Sequence, residues 1–319
     1  MSVVRVGTRG SALAMAQTKA LAARFAGEVE IVEITTKGDV DRSSLQQLGG
    51  TGVFVSALRD ALLDGTVDVA VHSMKDLPTA PAAGIELAAV TKREDARDAL
   101  CARDGLTLAE LPEGAKVGTG SPRRMAQLRL ARPDLEIVDI RGNVPTRLAR
   151  AQGDPETGEG ADLDAVVLAL AGLRRLGLDG HATEILDLID FPTAPAQGAL
   201  AVEIREGDAV ARAAVTKTDH ASTRAAADAE RRVLAGLEAG CAAPLAASAE
   251  VVDGMLFLTA IAYATDGSRR LSASHAYTLD STKPAELAEA ARDVAERAVT
   301  ELLDGGAAAL VHEAREPRG

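Results

Sequence analysis

The chain is predicted to be an α/β protein of two lobes followed by a smaller C-terminal α+β domain. Three observations lead there. Short apolar β-runs alternate with helical stretches through the first two thirds, the pattern of parallel sheets wrapped by helices. Two segments, TKREDARD at 91–98 and FPTAP at 191–195, interrupt the alternation as a chain crossing between lobes would. Beyond Asp219 the pattern changes to one long Ala-rich helix, a set of alternating strands and a final helix. A length of 319 residues accommodates two or three cores of this kind.

Taken in order, residues 3–7 alternate like a strand, and Thr8-Arg9-Gly10-Ser11 turns into a helix over about 12–25 capped by Ser11. Residues 29–35 form a second strand. The polar, Gly-rich stretch 37–52 is read as a mobile lid; its GGTG is not followed by GK[ST], which excludes a Walker phosphate loop. A helix at 53–63 and a strand at 68–71 run straight into His72-Ser73-Met74-Lys75-Asp76-Leu77-Pro78, where proline forbids helix continuation. His72 alone would be a core histidine and Lys75 beside Asp76 a surface pair, but this is a second polar cluster at a strand's C-terminal end, which shifts the reading toward a site. A further strand covers 85–90. Ser121-Pro122 starts a helix, 136–140 is a strand, Arg141-Gly142-Asn143 its turn, and Arg147 falls in the next helix. Residues 152–160 look like a loop insertion, 164–170 like a buried strand and 171–177 like turns. Gln197-Gly198 leads into a strand at 199–204. The long helix spans 219–238, Gly240 stops it, and Cys241 follows on a loop. Strands between 247 and 279 turn at Asp253-Gly254, and the last helix covers 284–303 with Ser281 or Thr282 as cap.

Bulk properties exclude several functions. A net charge of -12 and 2% aromatic residues argue against a nucleic-acid binder, which needs a basic surface and stacking platforms. The first residues lack a secretory pattern and no run of 18 apolar residues occurs, so a cytoplasmic protein is expected. Cys101 and Cys241 form no ligand-spaced set with the histidines, so no metal is expected.

Against that acidic background, residues 117–147 hold Arg123, Arg124, Arg129, Arg132, Arg141 and Arg147. Arg129 and Arg132 read as a solvated helix face. The other four sit at strand-to-helix junctions, and cations in a helix's first turn are disfavoured by the macrodipole. A bound anion would relieve them, so a pocket for a polycarboxylate or phosphate is predicted. Arg9 stands at an equivalent strand end.

The motifs VGTRGS, TKGD, GVFV, HSMKDLP, REDARDA, VGTGSPRR, RGNVPTRL, AGLRRLG, PAQGAL, AERRVL and AGCAAP, in this order, resemble the porphobilinogen deaminase family nearly end to end. The resemblance implies two periplasmic-binding-protein-like lobes, 1–92 plus 194–215 and 93–193, and a third domain at 216–319. It implies a dipyrromethane cofactor joined by thioether to Cys241, with Ser73, Lys75, Asp76, Thr119, Ser121, Arg123 and Arg124 around it. Arg9, Ser11, Arg141, Arg147, Arg175 and Gln197 would contact the substrate porphobilinogen, Asp76 would be the catalytic carboxylate, and the precedent is a monomer without nucleic-acid or membrane partners. Gln47 and Thr51 stand where many relatives carry lysine, and Ala196 and Ala239 replace familiar glycines. The implied activity is that of a transferase that condenses four porphobilinogens into hydroxymethylbilane and releases ammonia, in porphyrin and heme biosynthesis. Arginine suits an accumulating chain of acetates and propionates because its fork binds carboxylates bidentately and stays charged under desolvation. An ionised Asp76 about 4 Å from a cationic pyrrole would be worth about 4 kcal/mol at an effective dielectric of about 20, roughly a thousandfold in rate. Lys75 as a Schiff-base lysine is the rival chemistry, and a two-lobed solute-binding module without turnover the rival class.

Overall fold

The computed structural model describes residues 3–35, 52–153, 157–158, 160–239 and 243–313. The predicted lid at 37–52 therefore falls almost wholly outside the described residues, as do Gly240, Cys241 and much of the 152–160 insertion.

The first sheet holds β1 (Val4–Thr8), β2 (Val29–Glu33), β3 (Val69–Ser73), β4 (Ile85–Val90) and β10 (Leu200–Arg205) in the order β2-β1-β3-β10-β4. The second holds β5 (Asp98–Ala102), β6 (Lys116–Gly118), β7 (Glu136–Val138), β8 (Ala165–Ala169) and β9 (Glu184–Ile185) in the order β7-β6-β8-β5-β9. In each, four of the five strands share one direction and the strand in the fourth position runs antiparallel to them. That antiparallel strand is the one a crossing delivers: β5 enters the second sheet after residues 91–97, and β10 returns to the first after 186–199. The first sheet thus takes its fourth strand, β10, from beyond the whole of the second sheet, whose own five strands are consecutive in the chain. The α/β class of the two lobes follows from this topology.

β5 was not anticipated. Its charged Asp98 makes the run read as the tail of a linker, yet all five residues are buried. Helices α1 (Ala12–Ala22), α2 (Gly52–Leu63), α3 (Pro122–Ala131) and α4 (Val144–Gln152) follow strands as expected. Residues 171–177 correct the expectation of turns: they belong to helix α5 (Leu170–Leu176), ended by Gly177 at φ 69°. Burial of Leu170, Ala171 and Leu173 holds this short helix without a side-chain cap. The lobes touch through it, since a Cβ on Gly172 would lie 3.6 Å from Leu13 of α1.

After α6 (Ala209–Val215), the C-terminal unit packs α7 (Ala221–Gly236), α8 (Pro284–Asp304) and α9 (Ala307–Glu313) on the antiparallel meander β11 (Leu245–Val252), β12 (Met255–Tyr263) and β13 (Arg270–Thr278). Asp253-Gly254, at φ 50° and 72°, makes the two-residue turn of a tight hairpin, as the sequence indicates. The residue capping α8 is Lys283 rather than Ser281 or Thr282, and it lends no side-chain bond. Ser281 instead bonds Glu286 in the first turn and accepts from Lys283 N. This unit docks on α3, burying Ala126 against Ala246, Ile261 and Tyr263.

Candidate functional site

Strand C-terminal ends of both lobes gather the predicted residues, as in open α/β sheets generally. Beyond β1, Ser11 Oγ accepts from Ala14 N and caps α1. Beyond β6, Ser121 Oγ accepts from Arg124 N and caps α3, while buried Thr119 Oγ1 accepts from Ser121 N. Beyond β7, Asn143 caps α4 by accepting from Thr146 N at 2.9 Å. Gly120 lets the second and third of these junctions meet: a Cβ there would lie 2.6 Å from Ile140 O. Beyond β3, Met74–Asp76 forms a single 3-10 turn, and Ser73 Oγ donates to Gln17. Thr8, Arg9, Ser11 and the turn at Lys75 and Asp76 thus occupy the first lobe's edge, and the arginines the second lobe's.

The expected anion for Arg123 and Arg124 is supplied by the chain itself, which corrects the sequence reading of an unrelieved pair. Arg123, 2% exposed, donates through Nη2 to Asp98 Oδ2 at 2.8 Å and through Nη1 to Gln127 Oε1 and Pro192 O. Arg124 donates through Nη2 to Asp98 Oδ1 at 2.6 Å and through Nη1 to Val167 O. Burial alone would raise the Asp98 carboxyl, but the two guanidiniums and Gln197 overcome it and hold it far below the usual range. Gln197 Nε2 donates to Asp98 Oδ1 and Ala96 O, and its Oε1 accepts from Lys75 Nζ at 3.1 Å. A continuous polar chain therefore runs from Lys75 in one lobe to Arg123 and Arg124 in the other.

The cluster is rich in positive charge. Burial, with the Arg124 and Arg123 charges, pushes Lys75 down to about 8 against the pull of Asp76 and Asp98. Burial and the neighbouring Arg124 and Arg141 push Arg147 down to about 10 against Asp139 and Asp76. Among the charges acting on these two groups, Arg123, Arg124 and Arg141 add to the effect of burial, and Asp76, Asp98 and Asp139 oppose it. The Nε–H groups of Arg123, Arg124 and Arg141 are buried without a hydrogen-bond partner. Unsatisfied guanidinium donors in a cation-rich cleft fit a ligand bearing several carboxylates. Arg175 Nη2 donates to Gly198 O at 2.6 Å, beside Gln197. Gly198, at φ 89°, lies where the two crossings meet; a Cβ there would be 2.5 Å from Glu94 O.

Other residues resolve differently. Arg129 and Arg132 are not simply solvated: Arg129 donates to Thr265 O in the C-terminal unit, and Arg132 binds Asp134 and the carbonyls of Leu108 and Leu111. His72 is a core histidine, its Nε2 3.2 Å from Glu203 Oε2. Cys101 is buried, and desolvation raises its thiol to about 12, which disfavours the thiolate. Among the described residues no group of His, Cys, Asp or Glu is placed to hold a metal, and no helix is long and apolar enough to cross a membrane. Cys241 lies outside the described residues.

Sequence reasoning missed three charged residues. Asp98 hides at the end of a charge run. Glu230 is fully buried on α7 and binds Arg93 through both carboxylate oxygens, accepting also from Ala196 N and Ala249 N. It thereby ties both crossings to the C-terminal unit. Arg231 follows it. A glutamate flanked by arginine in an otherwise Ala-rich helix was the available signal.

Fold and site together define a two-lobed α/β protein with a cluster of buried guanidinium groups where the lobes meet. The model for the dipyrromethane cofactor binding domain of porphobilinogen deaminase matches residues 4–213, and that for the C-terminal domain matches 225–293. The porphobilinogen deaminase of Leifsonia xyli subsp. xyli is 61% identical over 315 residues, covering 96% of this chain and 94% of that protein. That of Thermobifida fusca is 52% identical, covering 99% and 98%. The chain belongs to the porphobilinogen deaminase family. Among solved structures, a YaeC-family lipoprotein from Enterococcus faecalis V583 is 18% identical with a TM-score of 0.39, covering 68% of this chain and 91% of that one. A Salmonella typhimurium periplasmic binding protein described as arginine-specific is 13% identical with a TM-score of 0.33, covering 68% and 92%. Likeness at those scores is too loose to carry an argument.

Proposed function

We infer that this chain is a hydroxymethylbilane synthase, a transferase that deaminates porphobilinogen and joins four molecules head to tail on a dipyrromethane primer. It releases the linear tetrapyrrole and ammonia. The observation that carries the reading is the excess of desolvated guanidinium over carboxylate at the junction of the lobes, within a chain of the porphobilinogen deaminase family.

Dipyrromethane, held by thioether to Cys241, supplies the free pyrrole carbon on which the chain starts. The residues' work is to bind and orient. Arg141 and Arg147 offer guanidinium donors to acetates and propionates, at about 1.5–3 kcal/mol per charged hydrogen bond, while Arg123 and Arg124, whose Nη groups the protein itself holds, add their Nε–H edges and their charge. Ser73, Thr119 and Ser121 line the cofactor side; Arg9, Ser11, Arg175 and Gln197 receive substrate. Lys75 adds a cation whose charge is labile near neutral pH. Loss of ammonia from porphobilinogen leaves a cationic pyrrole, and Asp76 stabilises it through its N–H. Residues 1–92 with 194–215 form one lobe, 93–193 the second, and 216–319 carry the cysteine. The enzyme acts as a cytoplasmic monomer.

Adding porphobilinogen should release ammonia, and Asp76→Asn should keep the fold while losing turnover by about a thousandfold. Binding of porphobilinogen without ammonia release would make the chain a solute-binding module. Near-normal turnover in Asp76→Asn would remove Asp76 from the chemistry.

A further inference from the structure

The turn carrying Lys75 and Asp76 has little to hold it from within. Its one internal main-chain bond, Leu77 N to Met74 O, is 3.2 Å long, and Ser73 gives it no side-chain cap. Met74 and Leu77 anchor it by burial at 2% and 3% exposure, and Met74 N donates to Ala199 O. The oxygens of the turn face α7 of the C-terminal unit. There Arg231 donates through Nη1 to Leu77 O at 2.8 Å and Met74 O at 3.4 Å, and through Nη2 to Pro78 O at 2.6 Å. A planar guanidinium on three main-chain oxygens fixes orientation as well as position, which a single ammonium cannot do. The adjacent Glu230 fixes α7 itself against both crossings.

We propose that Arg231 is a positioning residue for the reaction: it sets the main chain of the 74–78 turn, and through it the aim of the Asp76 carboxylate into the cleft. The proposal rests on the reading of Asp76 as the acting carboxylate. It assigns a catalytic consequence to a contact made from the C-terminal unit, whose part would otherwise end with carrying the cysteine. Misplacement of a reacting group by 1 Å costs about a hundredfold in rate, so loosening this turn should be read in kcat rather than in binding.

The test compares Arg231→Met, which keeps an unbranched apolar stem but cannot donate, with Arg231→Lys in cofactor-loaded protein. In Arg231→Met, kcat should fall about ten- to a hundredfold, KM should stay within about threefold, and intact mass should still show the two-pyrrole adduct. Arg231→Lys should fall between that and wild type. A kcat within twofold of wild type in Arg231→Met overturns the proposal. So does a loss of adduct in step with kcat in both variants, which would mark a merely structural arginine. Should Arg231→Met fail to fold, Arg231→Lys decides, and full kcat in it is refutation. If Asp76→Asn keeps turnover, the underlying reading fails; if Asp76→Asn is dead while Arg231→Met is unimpaired, only the positioning role fails.

Discussion

Asp98→Asn is the sharpest perturbation of the cluster. The carboxylate is fully buried and receives Arg123 Nη2 at 2.8 Å, Arg124 Nη2 at 2.6 Å and Gln197 Nε2 at 2.7 Å. Asparagine would present an NH₂ to one guanidinium and leave two buried cations without a counter-charge. Removing one partner of a buried ion pair costs about 3–5 kcal/mol. At about 2 °C per kcal/mol for a chain of this size, the thermal midpoint should drop by roughly 6–10 °C. The assay is thermal unfolding of wild type and variant under one buffer and one protein concentration. Asp134→Asn is the internal control. Its pair with Arg132 is partly exposed, at 29% and 21% side-chain exposure, and is worth at most about 1 kcal/mol. A drop below about 2 °C for Asp98→Asn, no larger than the control's, would refute the claim that Asp98 is the resident counter-ion.

Two further outcomes concern pH. Burial would raise Glu203, but His72 and Arg59 hold it down to about 2, so its contribution is complete above its ordinary 4.5 and is lost as pH falls from about 4.5 to about 2. Glu203→Gln should therefore lower the urea midpoint strongly at pH 6 and much less at pH 3; an equal deficit at both would contradict the pairing. Lys75 is charged below about 8 and neutral above it in the ligand-free protein. Uptake of the primer by the cofactor-free protein should therefore decline above about pH 8 in wild type. In Lys75→Met that limb should vanish, and its persistence would assign the titration elsewhere.

Much of this architecture was legible because strands, caps and junctions are local. Ser11, Ser121 and Asn143 cap helices whose starts can be read from Ser-Pro or Asn next to an apolar run, and Asp253-Gly254 declares its hairpin. What stayed hidden was set by contacts distant in sequence. Helix α5 has no capping side chain and contains Gly172, so only its burial between the lobes makes it helical. Strand β5 opens on Asp98, whose charge is tolerated at a buried position only because two arginines 25 and 26 residues later close on it. The arginine pair itself was conspicuous, and its need for an anion follows from the helix dipole. That one anion would be internal, leaving only the Nε–H edges unbonded, required the fold. Glu230 and Arg231 stood out only as charges in an Ala-rich helix, since helix periodicity gives no hint that one faces both crossings and the other the oxygens of a turn 153–157 residues away.

The claim on which the rest depends is that this cationic cleft closes around a primer tethered to the protein through sulfur. Intact mass spectrometry of the chain, purified from a host that makes porphobilinogen, tests it in one reading. Wild type should exceed its polypeptide mass by a two-pyrrole adduct, and Cys241→Ser should show the bare polypeptide. A wild-type mass equal to that of the polypeptide alone, or an adduct that survives in Cys241→Ser, would contradict the account.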